Sequence, residues 1–317
     1  MRPPALLIFG PTAIGKSELA LSVAERLGGE IIGVDSAQVY RGMDVGTAKP
    51  SLEERSAVPH HLIDLLDPRE TFSAGAFRQL ALSLAEQIYR RGRVPILVGG
   101  TMLYFHALLY GISPLPKGDL ELRRQIDLEA ERLGWPALHK KLQEIDPELA
   151  PRIHPRDRQR IQRALEIHAL TGRPPSELYR RKAPPLPFPA VQIALVPEDR
   201  KALYRRIARR FRRMVAQGLV EEVVRLFERD DLHPGLPALR AVGYRQVWGY
   251  LEGRYGFAEM VERGVRATCR LAKRQLTWIR RFPEAHRFPA ASVSPPLIEA
   301  VVRRWQLDGG RKLGYSV

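Results

Sequence analysis

The chain has 317 residues, 44% of them hydrophobic, which suits one large or two modest globular domains with a substantial buried core. No apolar run nears the roughly 20 residues a membrane span needs, the first strand begins too close to Met1 for a signal peptide, and the cytoplasm is the expected location. A single cysteine, Cys269, excludes an internal disulfide and a cysteine-built zinc site. The formal net charge of +16 is uneven: residues 1–110 are neutral and 111–150 carry −2, whereas 151–182 carry +6 and 201–280 carry +10. Arginine supplies 42 of the 51 cations, and its planar fork suits phosphate. A neutral core with basic flanks predicts a polyanionic partner such as a nucleic acid, the bland alternative being an arginine-rich solvated face.

In chain order, the apolar run Ala5 to Phe9 reads as a strand. Gly10-Pro11-Thr12-Ala13-Ile14-Gly15-Lys16-Ser17 follows with the spacing G-x-x-x-x-G-K-S, and Glu18 to Leu27 reads as a helix. Strand, glycine-rich turn and helix start point several backbone N–H groups and the helix dipole at one spot. Lys16 can then reach terminal phosphates, and the Ser17 hydroxyl suits Mg²⁺. A chance match in a glycine-rich turn is disfavoured by the flanking strand and helix.

A second strand, residues 30–34, ends in Asp35-Ser36-Ala37-Gln38-Val39-Tyr40. An acid there lies beside the phosphate loop and can take a proton from an attacking group; it can also cap the following turn. Ala76 to Arg90 reads as an amphipathic helix through Phe77, Leu80, Ala81, Leu84 and Ile88. The third strand, 94–98, runs into Gly99-Gly100-Thr101, where a nucleoside-triphosphate hydrolase often carries a Mg²⁺-binding aspartate. Paired glycines allow close approach of backbone to ligand, and Thr101 offers a hydroxyl. This departure points away from ATP hydrolysis and toward a diphosphate that serves as a leaving group.

After Tyr110 a hinge rich in glycine and proline, Gly111 to Gly118, leads into helical sequence from Leu120 to about Tyr179. A stiff proline-rich stretch from Ala183 precedes another strand, Val191 to Val196, and helices at 199–217, 219–229 and 257–281. The expected fold is α/β, a P-loop NTPase-like parallel sheet core with C-terminal helices (1–115 and 186–317) and a helical insertion domain (116–185). In the insertion, Arg156, Arg160 and Arg163 make a basic stripe opposite a buried one of Ile161, Leu165 and His168. His60-His61 lacks the spacing of a helical metal site. On the last helix Val265, Cys269, Ala272, Leu276 and Ile279 share the face expected to be buried. Arg266, Arg270, Lys273, Arg274 and Arg280 fall elsewhere, as a nucleic-acid backbone requires. Trp278 lies off both faces, with packing in the core favoured over stacking on a base.

These segments together resemble the tRNA dimethylallyltransferases (isopentenyltransferases). The resemblance is carried by GPTAIGKS at 10–17, DSAQVY at 35–40, GMDVGTAKP at 42–50, HHLID at 60–64 and LVGGTMLY at 97–104. It continues through DRQRIQRALEI at 157–167, GLVEEV at 218–223, AVGYRQ at 241–246 and LAKRQLTWIR at 271–280. It runs in order over nearly the whole chain and is closest to the compact bacterial form. It implies transfer of a dimethylallyl group from dimethylallyl diphosphate to N6 of adenosine 37, beside the anticodon in the tRNA stem-loop, with Mg²⁺ as cofactor. It also implies that residues Gly10 to Ser17 hold the diphosphate, that Asp35 is the general base, and that Thr101 lies at the reacting centre. Asp35, Ser36, Ala37 and Gln38 should touch tRNA, as should Gln159, Arg160, Ile161, Gln162 and Arg163, with Arg123 as a further contact. An arginine before GLVEEV should grip the diphosphate; Arg210 is the choice, with Arg213 open beside it. A monomer is expected. The rival enzyme reading is a small-molecule kinase, disfavoured by Gly-Gly-Thr, the charge and the insertion. An RNA-binding regulator with a degenerate nucleotide fold is disfavoured by intact Lys16, Ser17, Asp35 and Thr101.

Overall fold

Five consecutive residues with no exposed surface, Ala5–Phe9, form strand β1, as a strand covered on both faces must. In this computed structural model, which describes residues 3–181 and 184–307, β1 lies inside a six-stranded sheet whose pairings are all parallel. The chain continues through α1 (Lys16–Leu27), β2 (Gly29–Val34), α2 (Leu52–Ala57), β3 (His60–His61), α3 (Ala74–Arg90), β4 (Val94–Gly99) and α4 (Met102–Tyr110). Four helices follow, α5 (Leu120–Leu133), α6 (Trp135–Ile145), α7 (Arg158–Thr171) and α8 (Pro175–Tyr179). The chain then makes β5 (Ala190–Val196), α9 (Arg200–Ala216), α10 (Leu219–Phe227), α11 (Tyr244–Leu251), α12 (Phe257–Ile279), β6 (His286–Pro289) and α13 (Pro295–Leu307). Lys182 and Ala183, where the proline-rich stretch begins, lie outside the described residues.

The strand order β3-β2-β4-β1-β5-β6 puts β1 between β4 and β5. The chain leaves β1 toward one edge and later returns to pair on its other side. The carboxyl ends of β2, β4, β1 and β5 therefore line up around this reversal, where open parallel sheets hold their ligands. The four strands read from the sequence are present. Two edge strands are not visible there: β3 is two histidines, and β6 is His-Arg-Phe-Pro. Neither has an apolar run, and the strand expected to be third is the fourth. Short edges carrying charge and proline are how parallel sheets avoid pairing with other chains.

Alternate residues of β1 feed different sides of the sheet. Leu6 and Ile8 pack with Leu19, Ala20, Val23 and Ala24 of α1. Phe9 instead meets Phe105 and Phe282, at 5.0 and 4.9 Å between ring centroids. A separate cluster gathers Val39, Tyr40 and Met43 against Phe211, Val223, Val247 and Trp248. At its centre the buried carboxylate of Glu222 accepts the backbone N–H groups of Asp44 (2.7 Å), Val45 (2.8 Å) and Gly46 (3.0 Å), and the Tyr244 hydroxyl (2.5 Å). Burial, then the neighbouring Glu222 charge, pushes the Tyr244 phenol above its usual range, so it stays a donor. The buried Lys49 ammonium closes the same loop on Tyr40 O, Asp44 and Asp64.

The chain divides into two compact units, one of residues 1–108 with 187–317 and one of residues 109–186. The second has its own core of Ile126, Leu138, Leu142, Ile153, Ile161 and Leu165. Its Glu166, with no exposed surface, accepts from Asp119 N (2.8 Å), from Arg123 Nε (2.8 Å) and from Arg163. Breaking the Glu222 arrangement leaves three amides of the 44–46 loop without their partner. Glu222→Ala is expected to lower unfolding free energy by about 3 kcal/mol in urea denaturation. A loss within about 0.5 kcal/mol, the ordinary range of an unremarkable surface change, would show the loop held without it.

Candidate functional site

The turn between β1 and α1 is shaped by backbone geometry. Gly15 has φ 101° and caps α1, and Ala13 has φ 62°, a left-handed conformation that costs an alanine about 1 kcal/mol. Gly10 sits hard against β5, where an added Cβ would come 2.8 Å from Leu195 O. Pro11 O accepts from Lys16 Nζ at 2.7 Å, Ile14 is buried in the core, and Thr12 and Ala13 line a cavity of ≈ 540 Å³. Ser17 is exposed and opens onto a smaller neighbouring cavity with Lys49, His60, Arg210 and Arg213.

The Lys16 ammonium is desolvated, and burial lowers its pKa to about 7, with Arg210 pushing the same way and Asp35 opposing. Arg210, from α9, is likewise pushed down by burial, against the pull of Asp35. It lines the main cavity; Arg213, one turn further on, lines the neighbouring ones. Among the described residues Asp35 is the only carboxylate lining the main cavity. Its Oδ1 accepts from Ala37 N (2.8 Å) and Gln38 N (3.3 Å), so the turn-capping reading holds for that oxygen. Oδ2 has no hydrogen-bond partner among the described residues and is free for other work. Thr101 Oγ1 accepts from Ser36 N at 3.0 Å, which joins the end of β4 to the Asp35 turn. Ser36, Ala37 and Thr101 line the cavity, whereas the Gln38 amide is occupied by Thr47 O and Ala48 O, both at 3.2 Å.

Gly100 lines the main cavity, and both glycines at the end of β4 are also set by contacts within the protein. An added Cβ on Gly99 would lie 2.0 Å from Val34 O, and one on Gly100 would lie 2.4 Å from Gln275 Nε2. Backbone on backbone requires the glycine at 99, whereas at 100 the space is taken by the end of the Gln275 side chain. Gln275 is a site residue that the sequence reading missed. Its periodicity placed Val265, Cys269, Ala272, Leu276 and Ile279 inward, but the buried residues of α12 are Met260, Gly264, Ala267, Ala272, Gln275 and Ile279. Cys269 and Leu276 are half-buried. The polar partners Thr12 N and Gly100 O draw Gln275 in, which an apolar pattern cannot register. The motif LAKRQLTWIR was the available signal. Arg270, Lys273 and Arg274 are exposed as expected, Arg274 also at the cavity, while Arg266 pairs with Glu262. Trp278 lines the cavity, edge-on to His106. The apolar wall is completed by Met102, Leu103, Phe211, Met214 and Leu271.

Within the second unit, Gln159 and Arg160 are exposed, and Gln162 donates to Asp127 Oδ1 at 2.7 Å. Ile161 is fully buried and offers no side chain to a partner. Arg123 and Arg163 both grip Glu166. Arg156 precedes α7 and Arg163 is held inward, so the expected basic stripe reduces to its exposed members. His168 is half-buried, its ring against Arg173 O. His61 meets Glu30 at 2.7 Å, and among the described residues no group of three or more His, Cys, Asp or Glu could hold a metal. No helix among them is long and apolar enough to cross a membrane.

Comparison with known proteins places these features in a family. The IPP transferase family profile matches residues 38–282. The chain is 59% identical to a tRNA dimethylallyltransferase of Nitrosococcus oceani over 89% of this chain and 90% of that one. It is 57% identical to that of Methylococcus capsulatus, over 89% and 91%. A crystal structure of a full-length tRNA isopentenylpyrophosphate transferase from Bacillus halodurans superposes with a TM-score of 0.69, at 38% identity, covering 97% of this chain and 96% of that one. A eukaryotic dimethylallyltransferase captured acting on tRNA gives a TM-score of 0.80 at 26% identity, covering 99% and 81%.

The state of Lys16 makes anion binding depend on pH. In the free protein it is neutral above about pH 7, and a bound polyanion favours its charged form. Binding above that pH therefore takes up a proton, and affinity falls as pH rises. For folding, the unfolded chain binds more protons between about pH 7 and 10.5, the ordinary value for a lysine, so stability of the free protein rises with pH across that window. Calorimetric titration with inorganic diphosphate should show affinity declining from about pH 7 to about pH 9 relative to Lys16→Arg, whose charge persists. Parallel profiles would remove Lys16 from the anion site.

Proposed function

The chain belongs to the IPP transferase family, and on that premise we propose that it transfers a dimethylallyl group from dimethylallyl diphosphate to N6 of adenosine 37 in tRNA. The observation that carries the reading is one cavity with the desolvated Arg210, one carboxylate, Asp35, and an apolar wall, beside which the desolvated Lys16 lies close enough to feel both charges. A diphosphate needs the cations, a five-carbon prenyl chain needs the wall, and an exocyclic amine needs the carboxylate. A hydrolase or kinase would not need an apolar wall next to the phosphates.

The N6 amine attacks C1 of the allyl group as the C1–O bond breaks, and the electron pair of that bond leaves with the diphosphate. Loop amides, Lys16 and Arg210 stabilise the charge that develops on the leaving oxygen. The proton released by the amine passes to Asp35 Oδ2, while Oδ1 stays in its turn and keeps the carboxylate in place. Thr101 holds the Asp35 turn through Ser36 N. Among the described residues no acidic cluster is present, so Mg²⁺ would be held by the Ser17 hydroxyl and by diphosphate oxygens, a donor set that fits this hard cation. Its contribution is to neutralise charge on the departing diphosphate.

The acceptor base has to leave its stack to reach Asp35. Exposed Arg270, Lys273 and Arg274 in the first unit, and Gln159 and Arg160 in the second, supply backbone contacts for the anticodon stem-loop. The enzyme acts in the cytoplasm, as a monomer. The direct test is mass spectrometry of nucleosides from tRNA incubated with the protein and dimethylallyl diphosphate, where N6-isopentenyladenosine is expected. Transfer of label from ATP alone would overturn the reading in favour of a kinase.

Asp35→Ala should abolish transfer while tRNA affinity stays within about tenfold, since the loss is chiefly of proton transfer; full activity in that variant would remove Asp35 from the role. Neutralising Arg270 and Arg274 together should weaken tRNA binding and reduce the slope of log affinity against log salt by about 0.9 per lost phosphate contact. An unchanged slope would mean that these arginines only face solvent.

A further inference from the structure

Gln275 is the only polar side chain among the buried residues of α12. Both ends of its amide are used: Oε1 accepts from Thr12 N and Nε2 donates to Gly100 O, each at 2.9 Å. It thus ties the start of the phosphate loop to the end of β4. The next residue along, Thr101, holds Ser36 N beside Asp35. A leucine would fill the same space and support α12 against the sheet, so packing alone does not require an amide here. Gly100 has no room for a side chain while Gln275 is present. The Thr12 N–H, in a loop whose amides face anions, is committed to Gln275 instead.

We propose that Gln275 is a positioning residue that fixes the separation between the loop receiving the donor's diphosphate and the Thr101–Ser36–Asp35 group facing the acceptor. It acts through Thr12 and Gly100, not on either substrate. The inference rests on the transferase reading above. Leaving group and nucleophile are held by different strand ends, and no other side chain among the described residues hydrogen-bonds both the 10–15 loop and the Gly99–Thr101 segment. A misplacement of about 1 Å in such a reaction costs on the order of 10²-fold in rate.

The test compares wild type, Gln275→Leu and Gln275→Glu in single-turnover transfer, in binding of inorganic diphosphate and of tRNA, and in thermal unfolding. Gln275→Leu is expected to fold, to bind both within about threefold of wild type, and to transfer about 30- to 100-fold more slowly. In Gln275→Glu the ionised carboxylate can accept from Thr12 but faces Gly100 O without a proton. The protonated form donates again, so its rate relative to wild type should rise as pH falls from about 8 to about 6. A merely structural role moves unfolding but leaves that ratio flat. Wild type that transfers, with Gln275→Leu within about twofold of it in rate, overturns the positioning role alone; wild type that does not transfer overturns the transferase reading instead. If Gln275→Leu does not fold, the pH dependence of Gln275→Glu decides, and a flat ratio overturns the proposal.

Discussion

Lys16 and Arg210 are desolvated where the strands of a parallel sheet end, and Asp35 is the one carboxylate among the described residues at the cavity beside them. Cations taken out of water without a counter-charge bonded to them are costly. A site that keeps two of them is organised to receive an anion carrying more than one charge. Burial, with Arg210 pushing the same way, brings the Lys16 ammonium close to neutrality, and an incoming polyanion would restore its charge. The rest of the first unit serves this arrangement. The sheet aligns Gly10, Asp35 and Gly100 at adjacent strand ends, α9 brings Arg210, and α12 closes the side with Gln275 and Arg274.

The polar contacts that set this geometry lie inside the fold. Glu222 collects three loop amides and a tyrosine hydroxyl, Lys49 collects three oxygens, and Gln275 bridges the loop and β4. Each has its buried polar atoms hydrogen-bonded, which is the condition under which buried polar groups specify a structure rather than weaken it. Glu166 does the same in the second unit by gathering Arg123 and Arg163. Two arginines that the family resemblance marks as RNA contacts thus hold the buried carboxylate of the unit that carries them.

The apolar runs of β1, β2, β4 and β5 were legible because a doubly covered parallel strand is continuously hydrophobic. The phosphate loop was legible because its spacing is dictated by backbone geometry. His60-His61 and His286 to Pro289 were not, since edge strands are held by pairing and not by composition. The family resemblance marked Arg210 as a candidate but left Arg213 open beside it; of the two only Arg210 reaches the main cavity. The inward turn of Gln275 and the true partners of Gly99 and Gly100 depend on what lies opposite in space. Periodicity along one helix carries no such information.

The central claim is that this phosphate loop seats a prenyl diphosphate and not a nucleotide. Calorimetric competition between ATP and an unreactive thiolodiphosphate analogue of dimethylallyl diphosphate, on the full chain with Mg²⁺, tests it most directly. Tight binding of the prenyl analogue that excess ATP fails to displace is the expected result. Displacement of the analogue by ATP, or binding of ATP alone, would contradict it.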